Sequence, residues 1–360
     1  MKFGAMVATK VDDWQLLQYA ESLGYEHAWV PDSQMIWSDC YATLALAAWH
    51  TSTIRLGTGV AIAATRDPAV TAHSIASINR LAPGRTFLGV GTGHTAMRVM
   101  GHDPMPAPEF RRYVEMVRGL LQGDEVEHTH RGETRLIRFL HRELGFIDIE
   151  HKIPLWIAAN GPMALRVAGE FGDGRISAGD EPAEVFSANM ERIRAGAARA
   201  GRTLPPEFHT AVLTYACVLK HSESFKSERV VNEVGSMVMG LIHFWYENYK
   251  RSGDDSFVPE TCRDEWDQYL DLVAKMETPV EKRYQEIHEG HCTYLVPSER
   301  RLVTESTIRA SGGLVGEPDE IIDMIRERDR WGLREITLLP PMAVARKNFK
   351  DFAEQVIARY

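Results

Sequence analysis

Short apolar runs alternate with amphipathic stretches along the first 220 residues of the chain. "KFGAMVA" reads as a buried strand and "DDWQLLQYAESLG" as an amphipathic helix that ends at Gly24. "HAWVPD" predicts a second strand, and "YATLALAAWH" the helix after it. "IRLGTGVAI" predicts the third strand. A helix from Pro68 to about Leu81 follows, with proline at its first turn, where the missing N–H costs nothing. "TFLGVG" is the fourth strand, with a helix near Glu109 to Leu121. "PLWIAA" and "GRISAG" are the fifth and sixth, followed by helices over "PMALRVAGEFG" and from Pro182 to about Ala200. "TAVLTYACVL" predicts the seventh strand. After a long interruption, "PDEIIDMIRERDRWG" reads as a helix, "EITLLP" as an eighth strand and "VARKNFKDFAEQVIARY" as the closing helix.

Eight buried strands alternating with eight helices predict a parallel sheet closed into a (β/α)8 TIM barrel, one domain over residues 1–360. A doubly wound open sheet is the alternative, but it divides more naturally into two lobes and rarely runs through eight uniform units. Two stretches break the rhythm. Residues 124–152, with "RLIRFL" and "GFIDIE", predict a small hairpin at the end of the fourth unit. Residues 222–316 predict a long helical insertion between the seventh strand and its helix, with Gly312, Gly313 and Gly316 marking a flexible return. Insertions after barrel strands stand on the C-terminal face, where barrel enzymes keep their active sites. A lid or a substrate-pocket wall is therefore expected, and a dimer surface is the competing reading.

Composition narrows the class. With 44% hydrophobic and 25% charged residues, the 360-residue chain has the make-up of a globular protein with a sizeable core. A net charge of −9 argues against a nucleic-acid partner, and no apolar stretch is long enough to predict a membrane span. The first residues run into apolar sequence without a cleavable signal. Cys40, Cys217, Cys262 and Cys292 are widely separated, which predicts free thiols in a reducing cytoplasm.

Candidate chemistry lies at the strand ends of the C-terminal face. "FLGVGTGHTAMR", Phe87 to Arg98, sets Gly89, Gly91 and Gly93 at alternate positions and follows them with His94. No Gly-Lys-Ser/Thr follows, so it is not a P-loop, and His94 stands where a dinucleotide fingerprint needs its third glycine. The fifth strand ends in Ala158-Ala159-Asn160-Gly161-Pro162. Two glycine turns side by side, each leading to a helix N-terminus, aim several backbone N–H groups at one place, which is how neutral backbone holds a phosphate dianion. Plain tight turns are the alternative. "HEGHC" (His288, His291, Cys292) lacks the H-E-x-x-H spacing and predicts lid packing or a substrate contact, with no metal site. Trp245, Trp266 and Tyr294 read as insertion core or pocket wall, and Asp67 as a helix cap. Arg66 reads as a brace for the following helix or for an anionic cofactor tail.

Three stretches carry a resemblance: "LGTGV...TRDPAVTAHSIASINRLAPGRTFLGVGTGH", "PLWIAANGPMALRVAGEFGDGRI" and "VGEPDEIIDMIRERDRWGLREITL". The chain resembles the luciferase-like superfamily of flavin- and deazaflavin-dependent oxidoreductases. Its nearest likeness is to the branch of methylenetetrahydromethanopterin reductases, deazaflavin-dependent glucose-6-phosphate dehydrogenase and phthiodiolone ketoreductase. The resemblance implies FMN or coenzyme F-420 at the C-terminal mouth of the barrel and a small organic substrate. The chemistry is then either monooxygenation with O2, with a flavin reductase as partner, or O2-independent hydride transfer. A homodimer or higher homo-oligomer is also expected. Thr92-Gly93 and Ala159-Asn160-Gly161-Pro162 match the phosphate cradle, and Gly59-Val60-Ala61 the segment with a non-prolyl cis peptide that presses on the ring. Asp32 and Trp37 match the substrate-side segment, in which Ser33 replaces the usual histidine. His94 takes the place of a carboxylate found in the sugar-phosphate dehydrogenase. It is the expected proton donor or acceptor, since hydride transfer requires a proton to move at the substrate. Bracing the phosphate is the alternative role for it. A non-catalytic flavin-binding barrel and a metal-dependent barrel hydrolase are the rival classes; Asp32 alone does not supply the ligands that the second needs.

Overall fold

The computed structural model describes residues 1–360. Eight strands form a closed parallel barrel: β1 (Lys2–Met6), β2 (His27–Val30), β3 (Arg55–Ile62), β4 (Thr86–Gly91), β5 (Leu155–Ala158), β6 (Gly174–Ala178), β7 (His209–Thr214) and β8 (Glu335–Leu338). Each pairs with its neighbours in sequence, and β8 returns to β1 with Phe3 opposite Ile336. That closing pair excludes the doubly wound alternative. The outer helices are α1 (Gln15–Ser22), α2 (Cys40–His50), α3 (Pro68–Leu81), α4 (Ala107–Gln122), α5 (Pro162–Phe171), α6 (Ala183–Arg199), α7 (Pro318–Trp331) and α8 (Ala345–Gln355). Their starts follow the chain's chemistry. The carboxylates of Asp39 and Asp67 accept from the backbone N–H of Ala42 and Ala69, which caps α2 and α3.

The strands are near-continuous apolar runs because they are buried on both faces. Outward residues such as Leu88, Val90, Leu155 and Ile157 meet the helices in the main core. Inward residues make a second layer of Met6, Trp29, Phe87, Trp156, Ile176 and Ala211, filling the barrel with aromatic rings.

One strand differs from expectation. "TAVLTYACVL" is not a single strand: β7 stops at Thr214, and Ala216–Val218 leaves the barrel to pair in parallel with Leu314–Gly316. The break falls at Tyr215, whose ring is fully buried against Gly313, where a Cβ would stand 2.2 Å from it. The glycines read as a flexible return therefore serve a close approach and a paired strand. Residues 126–137 form an antiparallel hairpin, Val126–His130 with Glu133–Ile137. Between Val218 and Leu314 the chain builds helices at Glu228–Ser252 and Arg263–Ala274 and shorter turns. These share a separate apolar cluster that includes Trp245, Trp266 and Tyr269. Tyr294, read with those tryptophans, instead lies exposed.

Candidate active site

The two glycine turns stand next to each other, because β4 and β5 are paired, with Gly89 opposite Trp156. The β4 turn ends at Gly93, whose φ of +89° is a left-handed conformation suited to glycine, and a short helix from His94 to Arg98 begins there. The β5 turn ends at Gly161, the N-cap of α5, with extended backbone and no atom within 4 Å of where its Cβ would lie. Neither helix start is capped by a side chain, so both leave backbone N–H groups without intrahelical partners. The two glycines differ in one respect. A side chain at Gly93 would be strained and would meet Ile62 at 2.5 Å, whereas one at Gly161 would enter empty space. Thr92 is half-buried, and Asn160 and Pro162 are exposed at the same rim. Ala159 contributes differently from expectation: its N–H donates to Ile176 O, and its carbonyl accepts from Arg175 Nε at 2.7 Å, so it offers no free amide.

Arg175 was not anticipated. It is a buried guanidinium in an apolar strand that also bonds Glu181, and it braces the β5 end from beneath. The only signal in the sequence is a lone arginine in "GRISAG".

The Gly59–Val60 peptide is cis, and the pairing of β3 with β4 shifts register between Thr58 and Ala61. Ala61 is buried, and Val60 joins the inward layer of the barrel below the mouth. Across the mouth, Asp32 is buried, with both oxygens bonded by Arg66 (3.1 and 3.3 Å) and one also near the Ile62 N–H (3.4 Å). Arg66 further bonds Asp39 at 2.8 Å and lies 4.9 Å from the Tyr41 ring centroid. It braces the segment after β2 through Asp32 and Asp39. Ser33 is buried. Trp37 Nε1–H donates to Thr293 Oγ1 of the insertion at 2.9 Å.

His94 opens to solvent at the rim, but the surrounding protein, then the Arg98 and Arg251 cations, lower its pKa below the ordinary imidazole value. Arg98 pairs with Glu247 of the Glu228–Ser252 helix. The His291–Thr293 turn roofs the mouth, with Cys292 against the inward layer of the barrel. Behind it, the rings of His243, His288 and His291 stand about 6.3 and 6.2 Å apart in sequence. Burial, then the neighbouring histidines, takes His291 down to about 3, and burial takes the Cys292 thiol up to about 12.

A second cluster lies inside the barrel near the strand starts. Glu335 Oε2 accepts from His209 Nε2 at 2.6 Å and lies 2.7 Å from His27 Nδ1, which has no well-directed hydrogen bond. The ligand atoms of this trio fall within 4.8 Å of one another. The contacts are hydrogen-bond lengths, shorter than the ~3.3 Å between ligands of a four-coordinate zinc.

The sequence model described as "Luciferase-like monooxygenase" matches residues 11–335. The chain belongs to this luciferase-like family. It is 33% identical over 222 residues to a 5,10-methylenetetrahydromethanopterin reductase of Methanolobus tindarius, covering 61% of this chain and 65% of that one. It is 33% identical over 204 residues to an F-420-dependent glucose-6-phosphate dehydrogenase of Nocardia farcinica, covering 51% and 58%. The chain thus matches less than two thirds of the length of these relatives. The solved coenzyme F-420-dependent tetrahydromethanopterin reductase of Methanopyrus kandleri is similar with a TM-score of 0.71 at 22% identity, over 100% of this chain and 99% of that one. At that identity the likeness carries the fold. In this luciferase-like barrel the mouth therefore combines two adjacent glycine turns, one of them open at Gly161, a braced aspartate, and an exposed histidine at the rim.

Proposed function

We propose that the mouth holds the phosphorylated deazaflavin coenzyme F-420 and that the protein is an oxidoreductase acting on a small organic substrate. The open space at Gly161, faced by uncapped helix starts on two adjacent strands, carries this reading. The descriptions of two relatives as F-420-dependent support the choice of ring. When bound, that ring supplies the hydride acceptor or donor. Backbone groups of Thr92, Gly93, Asn160 and Gly161 would hold the phosphate, and Val60 would support the ring. The Asp32–Arg66 pair fixes the segment that leads to Trp37. His94 takes a proton from a substrate heteroatom or returns it, and the His291–Thr293 turn excludes water.

The family's description as monooxygenases favours one second reading, FMN with O2 and a partner flavin reductase. The exposed Trp49 and Leu46 on α2 and Val70 on α3 support a homodimer, and the four free cysteines support a cytoplasmic setting.

Equilibrium titration with coenzyme F-420, FMN and reduced FMN tests the reading. Wild type is expected to bind F-420 most tightly. Gly161→Val is expected to weaken it at least tenfold, about 1.4 kcal/mol, with an unchanged melting temperature. Undiminished affinity in that variant removes the phosphate cradle, and a preference for FMN selects the second reading.

A further inference from the structure

One indole ties the barrel floor to the mouth. Trp29 Nε1–H donates to Glu335 Oε1 at 2.7 Å, and the same oxygen accepts from Thr337 Oγ1 at 2.8 Å. The opposite edge of the ring lies under β3 and β4. A Cβ on Gly59 would fall 2.8 Å from Trp29 Cβ, and one on Gly89 would fall 3.1 Å from Trp29 Cζ3. At the glutamate end, a Cβ on Gly4 would collide with Glu335 Oε1 at 2.3 Å. A Cβ on Gly4 would also lie 3.0 Å from Trp29 Nε1, so glycines on three strands let the backbone close on this indole, on Glu335 and on Thr58. Phe87 and Trp156 flank it at centroid distances of 4.5 and 5.1 Å.

The far end is held as firmly. Glu335 is fully buried, and its second oxygen is shared by His209 and His27. His209 in turn stacks on Trp156 at 4.2 Å. A buried carboxylate is a poor source of stability compared with apolar packing, and its geometry is what it contributes. Here the geometry fixes the direction of the Trp29 N–H and hence the tilt of the indole. Val60, which would support the ring, packs in the same layer and lies 3.0 Å from a Cβ built on Gly89.

We propose that Glu335 and Trp29 are positioning residues: anchored by His27 and His209, they set the height and tilt of the platform at Gly59, Val60 and Gly89 on which a flat cofactor ring rests. This rests on the reading of the mouth as a ring site. The role belongs to the hydrogen-bond geometry and not to the negative charge. Glutamine can accept from Trp29 and Thr337 through its oxygen and donate through its amide to either histidine.

The test is fluorescence titration of coenzyme F-420 and FMN against wild type, Trp29→Phe, Glu335→Ala and Glu335→Gln, with melting temperatures and absorption spectra of the bound ring. Trp29→Phe and Glu335→Ala are expected to weaken binding at least tenfold and to shift the bound ring's absorption band. Glu335→Gln is expected to stay within threefold of wild type, with the wild-type band. If Glu335→Ala does not fold, Trp29→Phe decides alone, since it keeps an aromatic ring and removes only the donor and the second ring. Wild-type affinity and spectrum in Trp29→Phe, whatever its melting temperature, make the pair a stability element and overturn the inference. Loss of binding in Glu335→Gln equal to that in Glu335→Ala overturns the geometric account. A wild type that binds neither cofactor overturns the proposed function, and this inference with it.

Discussion

His94 begins the short helix at the β4 turn and is exposed at the rim, close to the Arg98 and Arg251 cations. Its lowered pKa decides which proton role it fits. Surrounding protein and the cations of Arg98 and Arg251 disfavour the imidazolium, so, under the proposed function, His94 would act as the base that accepts a proton when a substrate is oxidised. The acid limb of the kcat/KM profile, where a base is lost to protonation, is then expected below the usual imidazole value near 6.5. His94→Ala should lower turnover by ~10²–10⁴, remove that limb and leave cofactor affinity nearly unchanged. A variant that binds cofactor poorly but turns over normally at saturation assigns His94 to the phosphate instead. His94 stood out in the sequence because it interrupts a glycine pattern. Glu247, which neutralises its neighbour Arg98, did not: 149 positions separate the pair, and no local spacing joins them.

At the scale of elements, the insertion touches the barrel mouth through few polar contacts. Arg98 to Glu247 joins it to the β4 turn, and Trp37 to Thr293 joins it to the segment after β2. The Glu228–Ser252 helix was legible as part of a helical insertion from its apolar period; its cap, Ser227 accepting from the Val230 N–H, is seen only in the structure. The end of β7 was not legible, because "YACVL" is as apolar as a barrel strand. Its departure depends on Gly313, 98 residues beyond Tyr215, making room for the tyrosine ring. If these contacts latch a lid, removing one should loosen it. Glu247→Gln leaves Arg98 partly buried without its counter-charge, a costly arrangement. Limited proteolysis within 222–316 is expected to run at least tenfold faster in that variant. It should slow in wild type when cofactor and substrate are both bound. Equal cleavage of wild type with and without ligands would favour the dimer-surface reading.

For the molecule as a whole, the barrel was legible because strands covered on both faces become continuous apolar runs, and helices between them keep a 3.6-residue period. What the barrel encloses was not. Glu335 opens "EITLLP", where a charge at a strand start is ordinary, and only closure of β8 onto β1 and β7 brings it to His27 and His209. That enclosure has a consequence for acid stability. Burial would raise the Glu335 carboxyl, but the adjacent His27, then the hydrogen bond from His209, hold it well below the carboxylate range. Its contribution is present above its unfolded value near 4.3 and is lost as pH falls toward its folded value. The histidines act earlier. Burial lowers His209 inside the barrel and His288 and His291 in the insertion. Unfolding lets each take up a proton near pH 6.5, so each contributes stability above that pH and withdraws it as pH falls. Both hydrophobic clusters therefore lose stability over the same range. The melting temperature should be level from pH 8 to 7, decline from about 6.5 and fall faster below about 4.5. His291→Gln, which has no proton to gain, should flatten the decline between pH 6.5 and 5. A wild-type melting temperature that stays level to pH 5 in calorimetry would mean that these imidazoles are not held neutral by the fold.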